Sequence, residues 1–238
     1  MIELVGFDGD DTLWRSEDFF HAAGAEFEAI LGQHVTLDDA RIHEQLLAAE
    51  RRNIALFGYG AKGMTLSMIE TAIALAGAAL TVADIAAIVD IGKRVLAHPV
   101  ELLPGICAAV AAVAADFRVV LITKGDLFHQ ERKVRDSGLA ALFQRIEIVS
   151  EKDPATYRRV LDEVGVAPAN FVMVGNSLRS DIAPVLALGG SGVHVPYHVT
   201  WAMELDHDAD TASPRLLQVD AAAAIPAAVR ELAARLRD

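Results

Sequence analysis

The chain has 238 residues, with 33 acidic and 21 basic side chains and a formal net charge of −12. This negative charge disfavours nucleic acids and anionic membranes as partners, because both bind basic patches. No apolar stretch reaches the ~20 residues of a membrane-spanning helix, the N-terminal residues show no secretory pattern, and the single cysteine allows no intramolecular disulfide. We therefore expect a cytoplasmic protein whose partner is a small molecule, with no nucleic-acid or membrane partner.

The first predicted element is a buried strand in the segment LVGFDGDDTLW, residues 4–14. Its apolar run ends in Asp8, Gly9 and Asp10, with Thr12 beyond. Residues at such a strand end lie where open α/β sheets place their ligands. Two carboxylates this close repel each other, so a bound cation or an unequal sharing of protons must relieve them. The segment indicates a metal-dependent phosphoryl-transfer site; an acidic turn that caps the next helix is the alternative.

Residues 16–98 carry helical patterns and no convincing strand. The predicted helices cover residues 17–31, 37–56, 63–78 and 82–97, with acidic residues in the first turns of the first two. This block should form a helical bundle. The segment FGYGAKGM at 57–64 is its candidate substrate-contacting loop, through Tyr59 and Lys62. A plain connector between two helices is the alternative that the sequence favours.

A hinge is predicted at HPVELLPG, residues 98–105, because two prolines and a glycine interrupt the helical pattern. Beyond the hinge, helical patterns alternate with predicted strands near residues 118–123, 146–149, 171–175 and 192–195. This alternation predicts an α/β fold with a doubly wound parallel sheet.

Polar residues follow three of these later strands, as they follow the first. They are Thr123, Lys124 and Gly125 after one strand, Lys152 after the next, and Asn176 and Asp181 after a third. Each of them alone has an ordinary alternative, such as a surface lysine or a helix cap. Together they place hydroxyl, ammonium, amide and carboxylate groups at successive strand ends, and this complementary set favours one common site.

In this order, the four strand ends resemble the motifs of the haloacid dehalogenase superfamily: an Asp-x-Asp-x-Thr strand end, a Thr or Ser strand end, a Lys and an acidic loop. The resemblance covers residues 1–15 and 99–238 and implies that they form a catalytic core around a doubly wound parallel sheet. It also implies that residues 16–98 form a type 1 helical cap that closes over the active site. One departure from the family pattern is Gly175-Asn176, where the family usually has Gly-Asp. This departure matters because an amide brings no negative charge to a metal ion.

The resemblance implies a magnesium-dependent phosphohydrolase that acts on a small phosphorylated metabolite, as a monomer or a homodimer. Asp8 would attack phosphorus to form an aspartyl-phosphate, and Asp10 would act first as an acid and then as a base. Mg²⁺ would be held by Asp8, Asp10, Asn176 and Asp181. The phosphoryl group would be bound by Gly9, Thr123, Lys124, Gly125 and Lys152, of which Thr123 and Lys152 are also expected to be catalytic.

Other functions stay open at this point. A 2-haloacid dehalogenase of the same superfamily also uses the first Asp as its nucleophile but generally lacks the second, so Asp10 favours phosphate chemistry. A phosphomutase shares all four motifs. A receiver-like module and a noncatalytic phosphate-binding relative are the remaining alternatives. The helical insertion argues against the receiver, whereas Asn176 keeps the noncatalytic relative open.

Overall fold

A computed structural model describes residues 1–235 of the chain. These residues form two compact units. The first contains Met1–Glu17, Val100–Lys124 and the residues from Gln130 onward, and the second contains Asp18–Pro99 and Gly125–His129. In the described residues, no helix is both long enough and apolar enough to cross a membrane.

The first unit contains a parallel sheet with the strand order β3-β2-β1-β4-β5-β6. The strands are β1 (Leu4–Phe7), β2 (Arg118–Lys124), β3 (Arg145–Val149), β4 (Phe171–Gly175), β5 (Ser191–His194) and β6 (Leu216–Gln218). Because β1 lies between β2 and β4, the chain winds outward from the centre in both directions. The predicted α/β fold class is confirmed. The short strand β6 was not predicted.

Helices connect the strands and build the second unit. They are α1 (Glu17–Leu31), α2 (Asp39–Phe57), α3 (Ala61–Ala76), α4 (Val82–Ala97), α5 (Ile106–Ala114), α6 (Leu127–Asp136), α7 (Pro154–Val164), α8 (Ala183–Ala187) and α9 (Ile225–Arg235). A single π-helical turn, Leu178–Ile182, precedes α8. The predicted alternation of strands and helices after the hinge is therefore confirmed.

The central strands are apolar runs with both faces buried, as is usual for parallel sheets covered by helices. On one face, Val5 and Phe7 belong to an apolar cluster with residues of α5 and α9. On the other face, Leu4 and Phe171 belong to a cluster with Tyr157 and other residues of α7. Because both faces are covered, the carboxyl edge of the sheet is where polar side chains collect.

The second unit is helical, and residues from α1, α2, α3 and α4 share one apolar cluster. Local caps set the helix starts: the Asp38 side chain accepts a hydrogen bond from the first turn of α2, and Thr81 forms a capping box with Asp84 at the start of α4. Helix α3 begins two residues before the predicted start, directly after Gly60, which has a φ of 108°. This bundle is consistent with the predicted cap, whose role as a lid stays a prediction.

The segment Gly125–His129, which the sequence grouped with the core, belongs to the second unit. Asp126 accepts a hydrogen bond from Lys62 Nζ at 2.9 Å, and this ammonium lies 5.2 Å from the centre of the Phe128 ring. The ion pair joins residues 64 positions apart. No local sequence pattern indicates a contact between residues so far apart. The sequence-based division followed chain order and therefore assigned this segment to the core.

Candidate active site

The three central strands bring the predicted polar residues to one edge of the sheet. In the ladder, Phe7 of β1 is in register with Leu121 of β2 and with Val174 of β4. Asp8 extends this pairing, because its amide donates a hydrogen bond to the Val174 carbonyl at 2.9 Å. The residues that follow these strands therefore meet at the carboxyl edge of the sheet.

A buried ammonium group joins two of the predicted carboxylates. Lys152 Nζ forms an ion pair with Asp8 Oδ1 and another, at 2.7 Å, with Asp181 Oδ1. All three side chains are less than a tenth exposed. Burial alone would lower the pKa of Lys152, but the charges of Asp181 and Asp8 raise this pKa well above its ordinary value. Lys152 is therefore a charged group inside the site and not a surface lysine.

Asp8 uses its two oxygens differently. Oδ1 contacts Lys152, and Oδ2 accepts a hydrogen bond from the Thr12 hydroxyl at 3.0 Å. Burial raises the pKa of Asp8 to about 7, although attraction to Lys152 opposes this effect. A cation placed beside Oδ2 would lower this raised pKa, because an opposite charge favours the ionised carboxylate. A positive charge beside Asp8 would thus offset the cost of burying its ionised carboxylate.

Asp10 has different surroundings, and 28% of its side chain is exposed. Its Oδ1 accepts hydrogen bonds from Trp14 Nε1 at 2.5 Å and from Lys133 Nζ at 2.8 Å. Its Oδ2 accepts a third from Gln130 Nε2 at 2.8 Å. Burial would raise the pKa of Asp10, but Lys133 and the hydrogen bonds lower it below its ordinary value. The sequence had not identified these three donors.

Thr123 and Gly9 lie beside each other near Asp8. Thr123 is 1% exposed, and its hydroxyl has no hydrogen-bond partner in the described part of the chain. A Cβ atom at Gly9 would lie 3.0 Å from Thr123 Oγ1 and 2.8 Å from the Trp14 ring, so this position has room only for glycine. An unsatisfied buried polar group costs roughly 1–3 kcal/mol. An oxygen of a bound anion would satisfy the hydroxyl.

Asn176 faces the oxygens that the predicted metal site would use. One terminal atom of its amide lies 3.3 Å from Asp8 Oδ2 and 3.2 Å from the Asp10 carbonyl oxygen. The same atom is 3.2 Å from Thr12 Oγ1. Amide nitrogen and oxygen are assigned from their partners. If the inward-facing atom is nitrogen, the amide donates hydrogen bonds to all three oxygens. If it is oxygen, three oxygen atoms of Asn176, Asp8 and the Asp10 carbonyl face one another, and a cation between them would offset their repulsion.

Asp181 is buried, and protein groups contact both of its oxygens. Oδ1 pairs with Lys152, and Oδ2 accepts a hydrogen bond from the Ser177 amide at 3.0 Å. Its role as a magnesium ligand stays a prediction. Among residues 1–235, no group of three or more His, Cys, Asp and Glu side chains is arranged to hold a metal ion. Carbonyl and amide oxygens would therefore have to complete any magnesium site here.

Lys124 contacts a carboxylate that the sequence had not connected with the site. Its Nζ lies 2.5 Å from Glu204 Oε1 and 2.9 Å from Ser180 Oγ. The other Glu204 oxygen accepts hydrogen bonds from the hydroxyls of Ser177 and Ser180. Burial would raise the pKa of Glu204, but Lys124 and the two serines lower it. A phosphoryl contact by Lys124 stays a prediction, as does one by Gly125, which lies in the second unit with a φ of 139°.

Asp11, the third acid of the first strand end, shapes the backbone. Its φ of 61° makes it the one non-glycine residue of the described chain with a positive φ. Asp11 Oδ1 accepts hydrogen bonds from the amides of Ser16 at 2.8 Å and Glu17 at 3.1 Å. Aspartate tolerates this region better than most residues because its side chain can bond locally. The acidic turn considered from the sequence therefore describes Asp11, and the neighbouring Asp8 and Asp10 have other partners.

Comparison with protein families gives one match. The family described as haloacid dehalogenase-like hydrolase matches residues 2–189, which is most of the chain. The comparison with curated proteins gives no match.

Solved structures of this fold include proteins with two activities. A haloacid dehalogenase-like family hydrolase from Xanthomonas campestris is 56% identical, with 99% of this chain and 97% of that chain covered and a TM-score of 0.90. A 2-haloacid dehalogenase from Pseudomonas syringae is 22% identical, with 99% of each chain covered and a TM-score of 0.60. A predicted phosphoglycolate phosphatase from Haemophilus somnus is 18% identical, with coverage of 96% and 98% and a TM-score of 0.61. The last two likenesses show the fold alone. On the family match, this chain belongs to the haloacid dehalogenase-like hydrolases.

Proposed function

We propose that the protein is a magnesium-dependent phosphohydrolase that cleaves a small phosphorylated metabolite through an aspartyl-phosphate on Asp8. The observation that carries this proposal is the second carboxylate: Asp10 follows the same strand as Asp8, and 28% of its side chain is exposed. The leaving oxygen of a phosphate ester needs a proton, whereas a halide leaves without one. A second, reachable acid beside the nucleophile therefore supports phosphate chemistry.

The two acids divide the reaction. An oxygen of Asp8 attacks phosphorus, the bond from phosphorus to the leaving oxygen breaks, and that oxygen takes a proton from Asp10. Water then attacks the phosphorus of the aspartyl-phosphate, Asp10 takes a proton from the water, and phosphate is released with the Asp8 carboxylate restored. Asp10 must carry a proton at the start. A phosphoryl dianion bound beside it raises its pKa, because a like charge disfavours the ionised form.

Lys152 and Thr123 supply fixed donors for this chemistry. The Lys152 ammonium on Asp8 Oδ1 favours the ionised form of the nucleophile and offsets the negative charge that the substrate brings. The buried Thr123 hydroxyl, which has no partner in residues 1–235, donates to a phosphoryl oxygen. Both groups are already in place before substrate binds, so little reorganisation is needed during the reaction.

The oxygens around Asn176 fit a divalent cation. The amide atom lies 3.2 Å from the Asp10 carbonyl oxygen and 3.3 Å from Asp8 Oδ2. In octahedral magnesium sites, bond lengths near 2.1 Å place adjacent ligand oxygens about 3 Å apart. Bound Mg²⁺ would neutralise charge on the phosphoryl group. Asp8, the Asp10 carbonyl and Asn176 would hold it, with oxygen of the amide turned inward.

The opposite orientation of Asn176 favours a second candidate, a 2-haloacid dehalogenase. With nitrogen turned inward, the amide satisfies Asp8 Oδ2 and the Asp10 carbonyl without any cation. Displacement of halide by Asp8 needs neither a metal nor a leaving-group acid. This candidate leaves the reachable carboxylate of Asp10 without a chemical role, which is why we place it second.

Product analysis separates the candidates. Purified protein is incubated with a panel of phosphate monoesters and with 2-chloropropionate, each with and without Mg²⁺, and released phosphate and chloride are measured. We expect phosphate release that requires Mg²⁺. Chloride release that is independent of Mg²⁺ would support the dehalogenase, an isomeric sugar phosphate would indicate a mutase, and absence of all three products would indicate a noncatalytic relative.

A further inference from the structure

Helix α6 sends two side chains to the carboxylate of Asp10. Lys133 Nζ lies 2.8 Å from Asp10 Oδ1 and 3.3 Å from Ser16 Oγ. Gln130 Nε2 lies 2.8 Å from Asp10 Oδ2 and 3.0 Å from the Lys124 carbonyl oxygen. Neither side chain belongs to the four strand-end motifs. Both come from a helix that begins only three residues after β2 ends.

The Lys133 side chain is 11% exposed, so its ammonium is largely removed from water. An ammonium in such a place is costly unless a carboxylate pairs with it. Asp10 supplies this pair, as Asp8 and Asp181 supply it for Lys152. Asp8 and Asp10 are therefore each paired with a different buried ammonium group.

Together these contacts fix the orientation of the Asp10 carboxylate. Lys133 and Trp14 hold Oδ1, while Gln130 holds Oδ2, so rotation of the carboxylate about its last side-chain bond would break hydrogen bonds at both oxygens. Gln130 also ties this carboxylate to the backbone at the end of β2, directly after Thr123. Acid and base catalysis depend on such alignment, because a displacement of about 1 Å can reduce a rate roughly 100-fold.

We propose that Lys133 is a positioning residue for Asp10, with Gln130 as its second anchor. Its kinetic consequence rests on the proposed phosphohydrolase function, but the position of the carboxylate can be tested without any substrate. Asp10 protonates the leaving group, so loss of alignment slows esters with poor leaving groups and spares those whose leaving group needs no proton. A residue that only stabilises the fold would affect both kinds of ester equally.

The substrate-free test uses the indole N–H of Trp14, which donates to Asp10 Oδ1. The chain has two tryptophans, so a ¹⁵N–¹H spectrum contains two indole signals, and the substitution Trp201→Phe assigns them. In Lys133→Met, we expect the Trp14 signal to move from its wild-type position toward that in Asp10→Ala, in which the acceptor is lost. If Lys133→Met does not fold, Lys133→Gln removes the charge and keeps a hydrogen-bond donor.

The kinetic test compares an alkyl phosphate with p-nitrophenyl phosphate in the presence of Mg²⁺. For Lys133→Met we expect kcat on the alkyl ester to fall roughly 100-fold, with a much smaller loss on the aryl ester and little change in KM for either. The matched control is Arg135→Met, which removes an exposed positive charge from the same helix and should leave the Trp14 signal and both rates unchanged.

Two results would overturn the inference: a Trp14 signal at its wild-type position in Lys133→Met, or equal losses of kcat on the two esters. Failure of the proposed function has a different signature. In that case the wild-type protein releases no phosphate from either ester, while the Trp14 signal still reports whether Lys133 positions the carboxylate.

Discussion

The two acids that flank Gly9 are held in contrasting ways. Asp8 is buried and shares Lys152 with Asp181, whereas Asp10 is partly exposed and pairs with Lys133. Burial raises the pKa of Asp8 to about 7, while Lys133 and hydrogen bonds lower that of Asp10. Two carboxylates of one strand end thus differ in pKa because other elements of the fold bring them different neighbours.

The largest expected effect comes from removing the buried acid. Asp8→Asn keeps the shape of the side chain but eliminates the proposed nucleophile, so kcat should fall on the order of 10⁴-fold. Phosphate release from the best ester of the panel measures it. The control is Asp116→Asn, which changes an exposed acid of the first unit. Wild-type turnover by Asp8→Asn would contradict the nucleophilic role.

The second largest effect is expected at Lys152, whose ammonium group pairs with the buried Asp8 and Asp181. Lys152→Met leaves Asp8 and Asp181 buried without their cation, and loss of one partner of a buried ion pair costs about 3–5 kcal/mol. Urea unfolding should show this decrease in the free energy of unfolding. In the control Lys93→Met, the lost ammonium is largely exposed, so the change should stay within about 0.5 kcal/mol. Equal effects of the two substitutions would show that Lys152 does not support the buried acids.

The stabilising contribution of Lys152 should also depend on pH. Its folded-state pKa is raised, so this contribution is fully present below the unfolded-state value of about 10.4 and is lost as the pH rises through the folded-state value. We therefore expect wild type to remain more stable than Lys152→Met through mildly alkaline pH, and this difference to shrink only as the pH rises through the folded-state pKa of Lys152. Urea titrations in a series of alkaline buffers measure it.

A smaller effect is expected at Asn176, whose amide lies close to both Asp8 and Asp10. Asn176→Asp adds a carboxylate beside Asp8 Oδ2 and the Asp10 carbonyl, so Mg²⁺ should bind about tenfold more tightly, or about 1.4 kcal/mol. Without Mg²⁺ the variant should be less stable, because two carboxylates then repel each other. Thermal unfolding across a magnesium titration measures both changes. Gln33→Glu, an exposed change from amide to acid, serves as the control, and an unchanged magnesium affinity would count against a cation at Asn176.

The smallest effects are expected at Asp11, which shapes the backbone directly after Asp8 and Asp10. Asp11→Ala should destabilise the fold by about 1–2 kcal/mol, because it loses the hydrogen bonds to the amides that follow and leaves a positive φ for alanine. Asp11→Asn should be nearly neutral, since asparagine also tolerates this φ and offers an oxygen acceptor. Thermal unfolding of the two variants measures these changes. Equal losses of stability in both variants would mean that the charge of Asp11, and not its effect on the backbone, stabilises the fold.

The sequence was informative wherever a buried strand ends. Apolar runs mark the central strands, and such strands must place their following polar residues at one edge of a parallel sheet. This reasoning predicted that Asp8, Thr123, Lys152 and Asp181 would be neighbours, and the structure brings Asp8, Lys152 and Asp181 into direct contact. Thr123 lies beside Gly9. Chain order and periodicity were sufficient for that part of the site.

The sequence was uninformative where partners come from helices or loops. Lys133 and Gln130 look like ordinary polar residues of an amphipathic helix, and Asp10 is more than a hundred positions away from them. Glu204 reaches Lys124 from a short 3₁₀ turn that has no apolar period. The strand β6 has three residues, which is too few to show a pattern. Such contacts depend on tertiary packing, which a one-dimensional pattern does not encode.

The narrow space at Gly175 extends the constraints on the site to a residue that has no functional group. A Cβ atom there would lie 2.2 Å from Asp181 Oδ2, so even alanine would displace this carboxylate and, with it, the lysine that it anchors. In a saturation library scored by turnover, position 175 should therefore be as intolerant as position 8, the proposed nucleophile. Engineers who wish to alter substrate preference would do well to leave the end of β4 untouched and to vary residues farther from the sheet.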